Sequence, residues 1–250
     1  MVNVSRFDEL IAAAWPAAVN EELEEWAFRA ASGVTRRANS TLVRGETTNI
    51  ETAVAQAEEF ADRHAIPSVF LLSDRLAPAS VMDVLRSRGY VSHARTAVLV
   101  RDLPMVPAPG RGVTTDVADG ANDEWFNVYR SVESRADEAH GATVMRDTLL
   151  RPPHPAVFVA GRTEGCLVSV GQVVVSDGLG SVQCLATCPE GRRKGAARTV
   201  VDRLAIEAAA LGAQQLVAAV AVANPASRAL FDQAGFRESH HYEYAVRPSA

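Results

Sequence analysis

The sequence predicts an α/β fold with mixed sheets, arranged as two related lobes. From Leu185 to Asn224, an apolar segment, a basic turn with a glycine, an amphipathic helix and a second apolar segment follow one another. This order is typical of a strand–helix–strand unit. A shift of 146 residues places Gly89-Tyr90 on Gly235-Phe236, and the apolar run around Phe70 on the run around Leu216. The N-terminal half therefore resembles a second copy of the back half of one lobe.

The turn inside that unit suits an anion. Residues 181–188 predict a short strand that ends at Pro189, and three cations follow at positions 192–194. Gly195 and two alanines then open the helix. A helix N-terminus carries unpaired N–H donors and a partial positive charge, so phosphate oxygens bind there, and small residues allow a close approach.

The spacing Arg192-x-x-Gly195-x-Ala197 resembles the pyrophosphate loop of the GNAT N-acetyltransferase superfamily. Residues 216–222 predict a second strand, and after it come Asn224, a short helix and Gly235-Phe236, which is similar to the closing segment of that superfamily. A nucleotide P-loop is the weaker match, because no Gly-Lys-Ser/Thr follows the glycine. The resemblance implies a tandem GNAT fold with a degenerate N-terminal lobe and a complete C-terminal acetyltransferase lobe.

The same resemblance implies a coenzyme A site in the C-terminal lobe. The backbone of three strand residues would hold the pantetheine arm and polarise the thioester carbonyl: Leu185, Ala186 and Thr187. The loop and helix start would bind pyrophosphate: Arg192, Arg193, Lys194, Gly195, Ala196 and Ala197. Three later positions also match coenzyme contacts: Asn224, Ser227 and Phe231.

The proton donor for the leaving thiolate stays open. Many members of the superfamily carry a tyrosine where this chain has Phe231, and a phenyl ring cannot donate a proton. Four other side chains are candidate catalytic groups: Cys188, Tyr129, Glu133 and His154. Each has a structural alternative, which is packing for the cysteine, helix surface for Tyr129 and Glu133, and a solvated loop for the histidine. Protonation by water is the remaining option.

Periodicity predicts the other elements of the N-terminal half. Residues 5–31 are expected to be mostly helical with an interruption at Pro16, and residues 26–40 to contain a hairpin with its turn at Ser32-Gly33. The remaining predictions are helices at 49–64 and 79–88, and strands at 68–72 and 94–100. Residues 44–49 stand where the C-terminal lobe has its cationic turn, and Glu46 in this segment would repel phosphate. Only the C-terminal lobe is expected to bind coenzyme A.

Residues 103–112 contain three prolines and two glycines and are the best linker in the chain. The predicted domains are residues 1–104, an N-terminal GNAT-like lobe, and residues 111–250, the acetyltransferase domain. After the linker, strands are predicted at 113–117, 156–159 and 166–175, and a helical stretch at 122–136.

Composition excludes several classes of function. With a net charge of −5 and a pI near 5.7, the chain lacks the basic surface that nucleic-acid binding needs. A short alanine-rich segment near the N-terminus is followed by glutamates, so neither a signal peptide nor a membrane span is expected, and a cytoplasmic protein is the default. Cys166, Cys184 and Cys188 form no metal-binding motif. On one strand, the last two would share a face.

The predicted function is acetyl-CoA-dependent N-acetylation of a small-molecule amine, by direct transfer in a ternary complex and without a metal. Two alternatives stay open. One is a non-catalytic regulator that binds coenzyme A, and the other is a different acyltransferase or a thioester hydrolase on the same fold. The acceptor and the oligomeric state are not predicted.

Overall fold

The computed structural model describes residues 4–104, 112–118, 120–133, 139–151 and 154–248. Contacts between residues divide the chain into two compact units. The first contains Met1–Val98, Val220–Asn224 and Ser239–Ala250, and the second contains Leu99–Ala219 and Pro225–Glu238. Residues 105–111 of the predicted linker lie outside the described residues. The domain bounds 1–104 and 111–250 stay a prediction.

The described elements up to residue 102 include both helices and strands. In chain order they are α1 (Val4–Ala13), β1 (Val19–Leu23), β2 (Trp26–Ala30), β3 (Thr41–Val43), α2 (Ile50–Arg63), β4 (Val69–Ser73), α3 (Ala79–Ser87) and β5 (Val91–Asp102). Asn49 caps α2, because its side chain accepts a hydrogen bond from the Thr52 N–H at 3.0 Å.

The later elements contain the predicted anion turn. They are β6 (Val113–Ala118), α4 (Asp123–Val132), α5 (Ala139–Leu149), β7 (Ala156–Thr163), β8 (Cys166–Ser176), β9 (Leu179–Thr187), α6 (Ala196–Ala210), β10 (Gln215–Ala221), α7 (Pro225–Gln233) and β11 (Arg237–Val246). Asn122 caps α4 by accepting from the Trp125 N–H at 2.9 Å. The prediction of a mixed α/β fold is confirmed.

In the first unit, the strand order is β1-β2-β3-β4-β11-β5. β3 runs parallel to β4, and the pairs β1/β2, β2/β3 and β4/β11 are antiparallel. Side chains alternate between the two faces of a strand. Phe70 and Leu72 of β4 therefore pack in a core with α2 and α3, whereas Leu71 and Ser73 face the side where α1 lies.

In the second unit, β6, β7, β8 and β9 form an antiparallel meander, and β10 pairs parallel to β9. Gly171 of β8 faces α6, since a Cβ there would meet Val200 and Leu204. The opposite face packs against α4, where Trp125 meets Phe158 of β7 edge to face. Two helices thus cover opposite faces of this sheet.

Two sequence predictions for the N-terminal half are wrong. Residues 19–30 form the hairpin of β1 and β2 instead of continuing a helix. β1 lies at the sheet edge and contains the adjacent residues Glu21 and Glu22, so its sequence shows no apolar alternation. The hairpin turn lies at Glu24, which has a φ of 49°, whereas Ser32-Gly33 follows β2 in a separate turn. α5 and β11 were not predicted.

Candidate functional site

The turn before α6 depends on left-handed backbone. Pro189–Gly191 form one 3-10 turn, Arg193 has a φ of 62°, and Gly195, the N-cap of α6, has a φ of 83°. No side chain caps this helix start. The first α-helical bond after the cap runs from the Thr199 N–H to the Gly195 carbonyl, at 3.0 Å. The N–H groups of the preceding helical residues therefore have no carbonyl partner within the helix and can donate to an anion.

Three cationic side chains precede this helix start. Arg192, Arg193 and Lys194 all have exposed side chains. Within the part of the chain that the structure describes, none of the three forms an ion pair. Arg192 is partly oriented, because its Nε donates to the Thr187 carbonyl at 3.3 Å. These cations and the partial charge of the helix start attract an anion together.

Among the described residues, no strand pairs with part of one edge of β9 beside this turn. Its parallel pairing with β10 runs from Leu179 to Val182, yet the strand continues to Thr187. Beyond Val182, the ladder of β9 runs along its other edge, with β8. An extended group with amide donors and acceptors fits such an edge.

The direction of the free backbone groups follows from the ladder. The Cys188 N–H donates to the Val168 carbonyl at 3.0 Å, and bonded and non-bonded residues alternate along an antiparallel pair. Ala186 therefore faces β8, whereas the backbone groups of Leu185 and Thr187 face the unpaired edge. A bulge precedes them, because Cys184 has a φ of 52° and the register with β8 shifts there.

In the first unit, the turn before α2 corresponds to the turn before α6. A carboxylate of the protein binds this turn. Glu24 accepts a hydrogen bond from the Thr48 N–H at 2.7 Å, immediately before the Asn49 cap of α2. Hydrogen bonds from the Thr48 and Thr47 hydroxyls lower the pKa of Glu24, so the carboxylate is charged at neutral pH. Glu46 is exposed in the same loop. The Glu24 carboxylate therefore lies where an anionic ligand would otherwise bind.

Comparison with known proteins agrees with this geometry. The family described as "Probable histone acetyltransferase Rv0428c C-terminal" matches residues 3–245. The chain belongs to this acetyltransferase family. It is a GNAT protein by fold as well, which confirms the resemblance that the sequence suggested.

Three relatives cover nearly the whole GNAT chain. The "Uncharacterized N-acetyltransferase YobR" of Bacillus subtilis is 26% identical over 247 residues, which are 97% of this chain and 98% of that protein. A GCN5-related N-acetyltransferase from Kribbella flavida superposes with a TM-score of 0.67 at 15% identity, over 99% of this chain and 95% of its own. A tandem GNAT protein from the clavulanic acid biosynthesis pathway has a TM-score of 0.61 at 11% identity, over 90% and 78% of the two chains.

Cys188 is the candidate catalytic group nearest the anion turn of this GNAT. Burial, followed by the neighbouring carboxylate of Glu190, raises the pKa of the Cys188 thiol. The thiol is therefore protonated at neutral pH, which disfavours a nucleophilic role and suits a proton donor. It packs against a small core of Val113, Val168 and Ala196. Because Cys184 lies in a bulge and Cys188 follows the strand end, the expectation that they share a strand face is wrong.

The other three candidates differ in exposure. Tyr129 is buried in α4 among Trp125 and Phe126, with ring centroids 5.8 and 6.3 Å away. Glu133 is the half-buried C-cap of the same helix. His154 is half-buried in the loop before β7. The structure brings Tyr129 and Glu133 together on one helix, and their catalytic roles stay a prediction.

Phe231 is 3% exposed and packs edge to face on Phe236, with ring centroids 4.9 Å apart. Its helix α7 is tied to α6, because Arg198 donates to the Gln233 carbonyl at 2.6 Å. Ser227 is half-buried on α7. Asn224 ends the turn after β10, where its N–H donates to the Ala221 carbonyl at 2.9 Å, and it belongs to the first unit. Coenzyme contacts of these residues remain predictions.

Sequence reasoning missed one polar residue in the core of the second unit. Gln172 is fully buried in β8, and both polar atoms of its amide lack a hydrogen-bond partner among the described residues. It lies opposite Gln183 on the sheet face that α4 covers. The only sequence signal for this residue is that an amide side chain interrupts an otherwise apolar run in β8. A buried amide left without a hydrogen bond costs about 1–3 kcal/mol.

The described residues hold no cluster of three or more metal-ligating side chains. Their cysteines form no disulfide, and Cys166 is exposed, Cys184 buried and Cys188 partly buried. No described helix is long and apolar enough to cross a membrane.

Proposed function

We propose that this GNAT acetyltransferase uses acetyl-CoA and transfers the acetyl group to the amine of a small molecule, by direct attack in a ternary complex. The observation that carries the proposal is the open, cationic start of α6 beside the unpaired edge of β9. GNAT acetyltransferases generally use acetyl-CoA, and the two features match the two ends of that molecule.

The turn before α6 is proposed to bind the pyrophosphate. Amide donors of Gly195, Ala196 and Ala197 would meet the phosphate oxygens, and the three exposed cations at 192–194 would supply charge. Such contacts are charge-assisted and stronger than neutral hydrogen bonds. The partial order of the Arg192 side chain reduces the entropy that binding must remove.

The edge of β9 is proposed to bind the pantetheine arm. Leu185 and Thr187 are the best placed of the three predicted strand residues, because their backbone groups face the unpaired edge. Ala186 has its backbone in the ladder with β8, and its carbonyl also accepts from Ser169 Oγ at 3.1 Å. Ala186 therefore contributes by holding β9 against β8. A backbone N–H of a neighbouring residue on the unpaired edge would polarise the thioester carbonyl.

In the transfer step, the neutral amine attacks the thioester carbon, the carbon–sulfur bond breaks and the sulfur leaves as a thiolate. The amine nitrogen loses one proton and the thiolate gains one. Cys188 is protonated at neutral pH and is the proposed donor, with water as the alternative. Phe231 supplies no proton in this scheme.

A regulator that binds coenzyme A without turnover is the second candidate. The specific observation in its favour is Phe231, which is buried and apolar where many relatives carry a hydroxyl. Release of free coenzyme A separates the alternatives. An amine-dependent release supports the acetyltransferase, release without amine supports a hydrolase, and tight binding without release supports the regulator.

The decisive test replaces the helix cap. Gly195→Glu places a carboxylate at the pyrophosphate turn and should abolish the heat of acetyl-CoA binding in calorimetry. Gly212→Glu is the matched control, because Gly212 lies just beyond the other end of α6 with a similar φ of 89° and no heavy atom within 4 Å of an added Cβ. Both variants gain the same charge and the same backbone strain. Unchanged affinity in Gly195→Glu would refute the placement.

A further inference from the structure

Asp202 lies on α6, about two turns after the Gly195 cap, and is 4% exposed. Arg198, one turn earlier on the same helix, donates through Nε to both carboxylate oxygens of Asp202, at 2.9 and 3.0 Å. A buried ion pair loses much of its attraction to desolvation, so its presence is weak evidence for a contribution to stability. The proposed transfer reaction assigns no role to either residue. The pair is therefore a candidate for a role other than stability.

A second arginine lies close to this pair. Arg101, near the end of β5, is half-buried and donates through Nη1 to the carbonyl of Ala234. Burial lowers the pKa of Arg101, the Asp202 carboxylate opposes this shift, and the Arg198 guanidinium adds to it. The Asp202 carboxylate therefore acts on both guanidinium groups, and it supplies the negative charge that the two cations share.

Both arginines bind the C-terminal end of α7. Arg198 donates to the Gln233 carbonyl at 2.6 Å, and Arg101 donates to the carbonyl of the next residue, Ala234. Carbonyls at the end of a helix lack partners within the helix and carry partial negative charge, so cations are favoured there. Gly235 follows with a φ of 79°, and a Cβ there would lie 3.5 Å from Arg101 Cζ. Two cations that depend on one carboxylate therefore fix the end of α7.

The start of α7 lies at the end of the sheet where the proposed pantetheine site lies. β9 and β10 are parallel, and Val182 opposite Ala218 is the last pair between them. β9 then continues along its unpaired edge to Thr187, and β10 continues in the same direction and leads to α7, which begins at Pro225. An extended group on the unpaired edge of β9 and the first residues of α7 therefore share one end of the sheet.

α7 carries two of the residues predicted to meet the coenzyme, Ser227 and Phe231. Phe231 lies two residues before Gln233, and its carbonyl accepts a hydrogen bond from the Phe236 N–H at 3.0 Å. The helix has only nine residues. A displacement of its C-terminal end would therefore move the whole helix, and with it both predicted contact residues.

We propose that Asp202 is a positioning residue for the coenzyme: it holds Arg198 and Arg101 on the end of α7, and α7 then packs against the pantetheine arm. The inference rests on the proposed function, since it takes acetyl-CoA to bind at α6 and β9. In this scheme Asp202 touches no atom of the coenzyme. Its carboxylate orients Arg198 and offsets the repulsion between two guanidinium groups that bind neighbouring carbonyls.

Calorimetry with two ligands tests this assignment. Acetyl-CoA contains both the pyrophosphate and the pantetheine arm, whereas 3′-phosphorylated ADP is the nucleotide part of the coenzyme and has no such arm. Asp202→Asn should weaken acetyl-CoA about tenfold, the scale of one lost hydrogen bond to a charged group, and leave the nucleotide unaffected. Equal weakening of both ligands would show that Asp202 acts on the anion turn of its own helix, and would overturn the proposal. Unchanged affinity for acetyl-CoA would also overturn it.

Glu207→Gln is the matched control. Glu207 accepts a hydrogen bond from Arg203 Nε at 2.7 Å, so this ion pair has the same chemistry and the same spacing on the same helix. In the described part of the chain, the pair bonds to no residue of α7. Both ligands should bind Glu207→Gln as they bind the wild type. If Glu207→Gln weakens acetyl-CoA as much as Asp202→Asn does, any ion pair on α6 would suffice and the assignment is wrong.

A double variant separates positioning from folding. Asp202→Asn leaves two guanidinium groups without their counter-charge and should lower the melting temperature. Replacing a buried ion pair by apolar side chains of similar volume is often neutral or stabilising, so Arg198→Met combined with Asp202→Leu should recover the melting temperature. Acetyl-CoA should still bind weakly, because no donor from position 198 reaches the Gln233 carbonyl. Affinity that returns together with the melting temperature would overturn the proposal.

Failure of this assignment can be distinguished from failure of the proposed function. If the wild type does not bind acetyl-CoA, the proposed function is wrong, and the role of Asp202 is wrong with it. If the wild type binds acetyl-CoA, Gly195→Glu does not, and Asp202→Asn binds it normally, only the role of Asp202 is wrong.

Discussion

Gly171 determines how closely α6 approaches the sheet of the second unit. A Cβ at this position would lie 2.9 Å from Leu204 Cδ1 and 2.9 Å from Val200 Cγ1, both on α6. Carbon atoms in contact prefer about 3.5–4.0 Å. Both side chains are fully buried, and a valine in a helix has essentially one rotamer. In Gly171→Ala, α6 must therefore move rather than its side chains.

The expected loss of stability follows from two opposing terms. Overpacking a core costs about 1–3 kcal/mol, while alanine is favoured over glycine in a strand by about 0.5–1 kcal/mol. The net loss is roughly 1–2 kcal/mol, which lowers the melting temperature of a chain of this size by about 2–8 °C. Because α6 carries the anion turn, acetyl-CoA should also bind more weakly.

Thermal unfolding and acetyl-CoA calorimetry measure both effects. Gly120→Ala is the control, because a Cβ at Gly120 meets no heavy atom within 4 Å. Val200→Ala should cost less stability in the Gly171→Ala background than alone, since it removes one of the two clashing methyl groups. If Gly171→Ala melts at the same temperature as the Gly120→Ala control, or if the effects of Gly171→Ala and Val200→Ala on stability are additive, the account of this contact is incorrect.

Three further predictions concern binding, catalysis and pH. Titration with acetyl-CoA should saturate at one coenzyme per chain, because Glu24 and Glu46 stand at the turn before α2, and saturation at two would contradict this. Phe231→Tyr should leave turnover unchanged or raise it, because no proton comes from this ring. If the variant binds coenzyme normally but its turnover falls about a hundredfold, which is the scale of a lost general acid, the ring has a mechanistic role. Burial raises the pKa of Tyr90 to about 12 from an ordinary 10.0, so its neutral form stabilises the folded state below pH 10, and that contribution is lost between pH 10 and 12. The stability difference between wild type and Tyr90→Phe, measured by urea unfolding, should therefore shrink above pH 10; an equal difference at pH 8 and pH 11 would exclude this linkage.

Elements with a strong local pattern could be predicted from the sequence. Residues 49–64 combine a capping Asn49 with apolar positions at helical spacing, and α2 spans Ile50–Arg63. Residues 19–30 could not be predicted in this way, since β1 is an edge strand that contains two consecutive glutamates, Glu21 and Glu22. Its conformation depends on pairing with β2, a contact that periodicity does not encode.

The candidate site shows the same limit. The cationic turn and Gly195 are local features, and the helix starts where the small residues predict. The bulge at Cys184 was not visible, because a left-handed cysteine has no sequence signature and arises from pairing with β8. The partner of Thr48 was equally hidden, since Glu24 reaches it from a turn 24 residues earlier in the chain.

Because Glu24 belongs to the chain, the two units differ in how their stability depends on the concentration of a free anion. Its carboxylate is tethered to the helix start that it neutralises, so it is always present at a high effective concentration and never dissociates into solution. The stabilisation that the first unit derives from this contact therefore does not depend on a ligand concentration. Among the described residues, no carboxylate binds the turn at Gly195 in this way, and under the proposed function the stabilisation from coenzyme bound there would grow with the logarithm of the free coenzyme concentration. Coenzyme supply would then stabilise the second unit selectively, and depletion would expose it first to local unfolding.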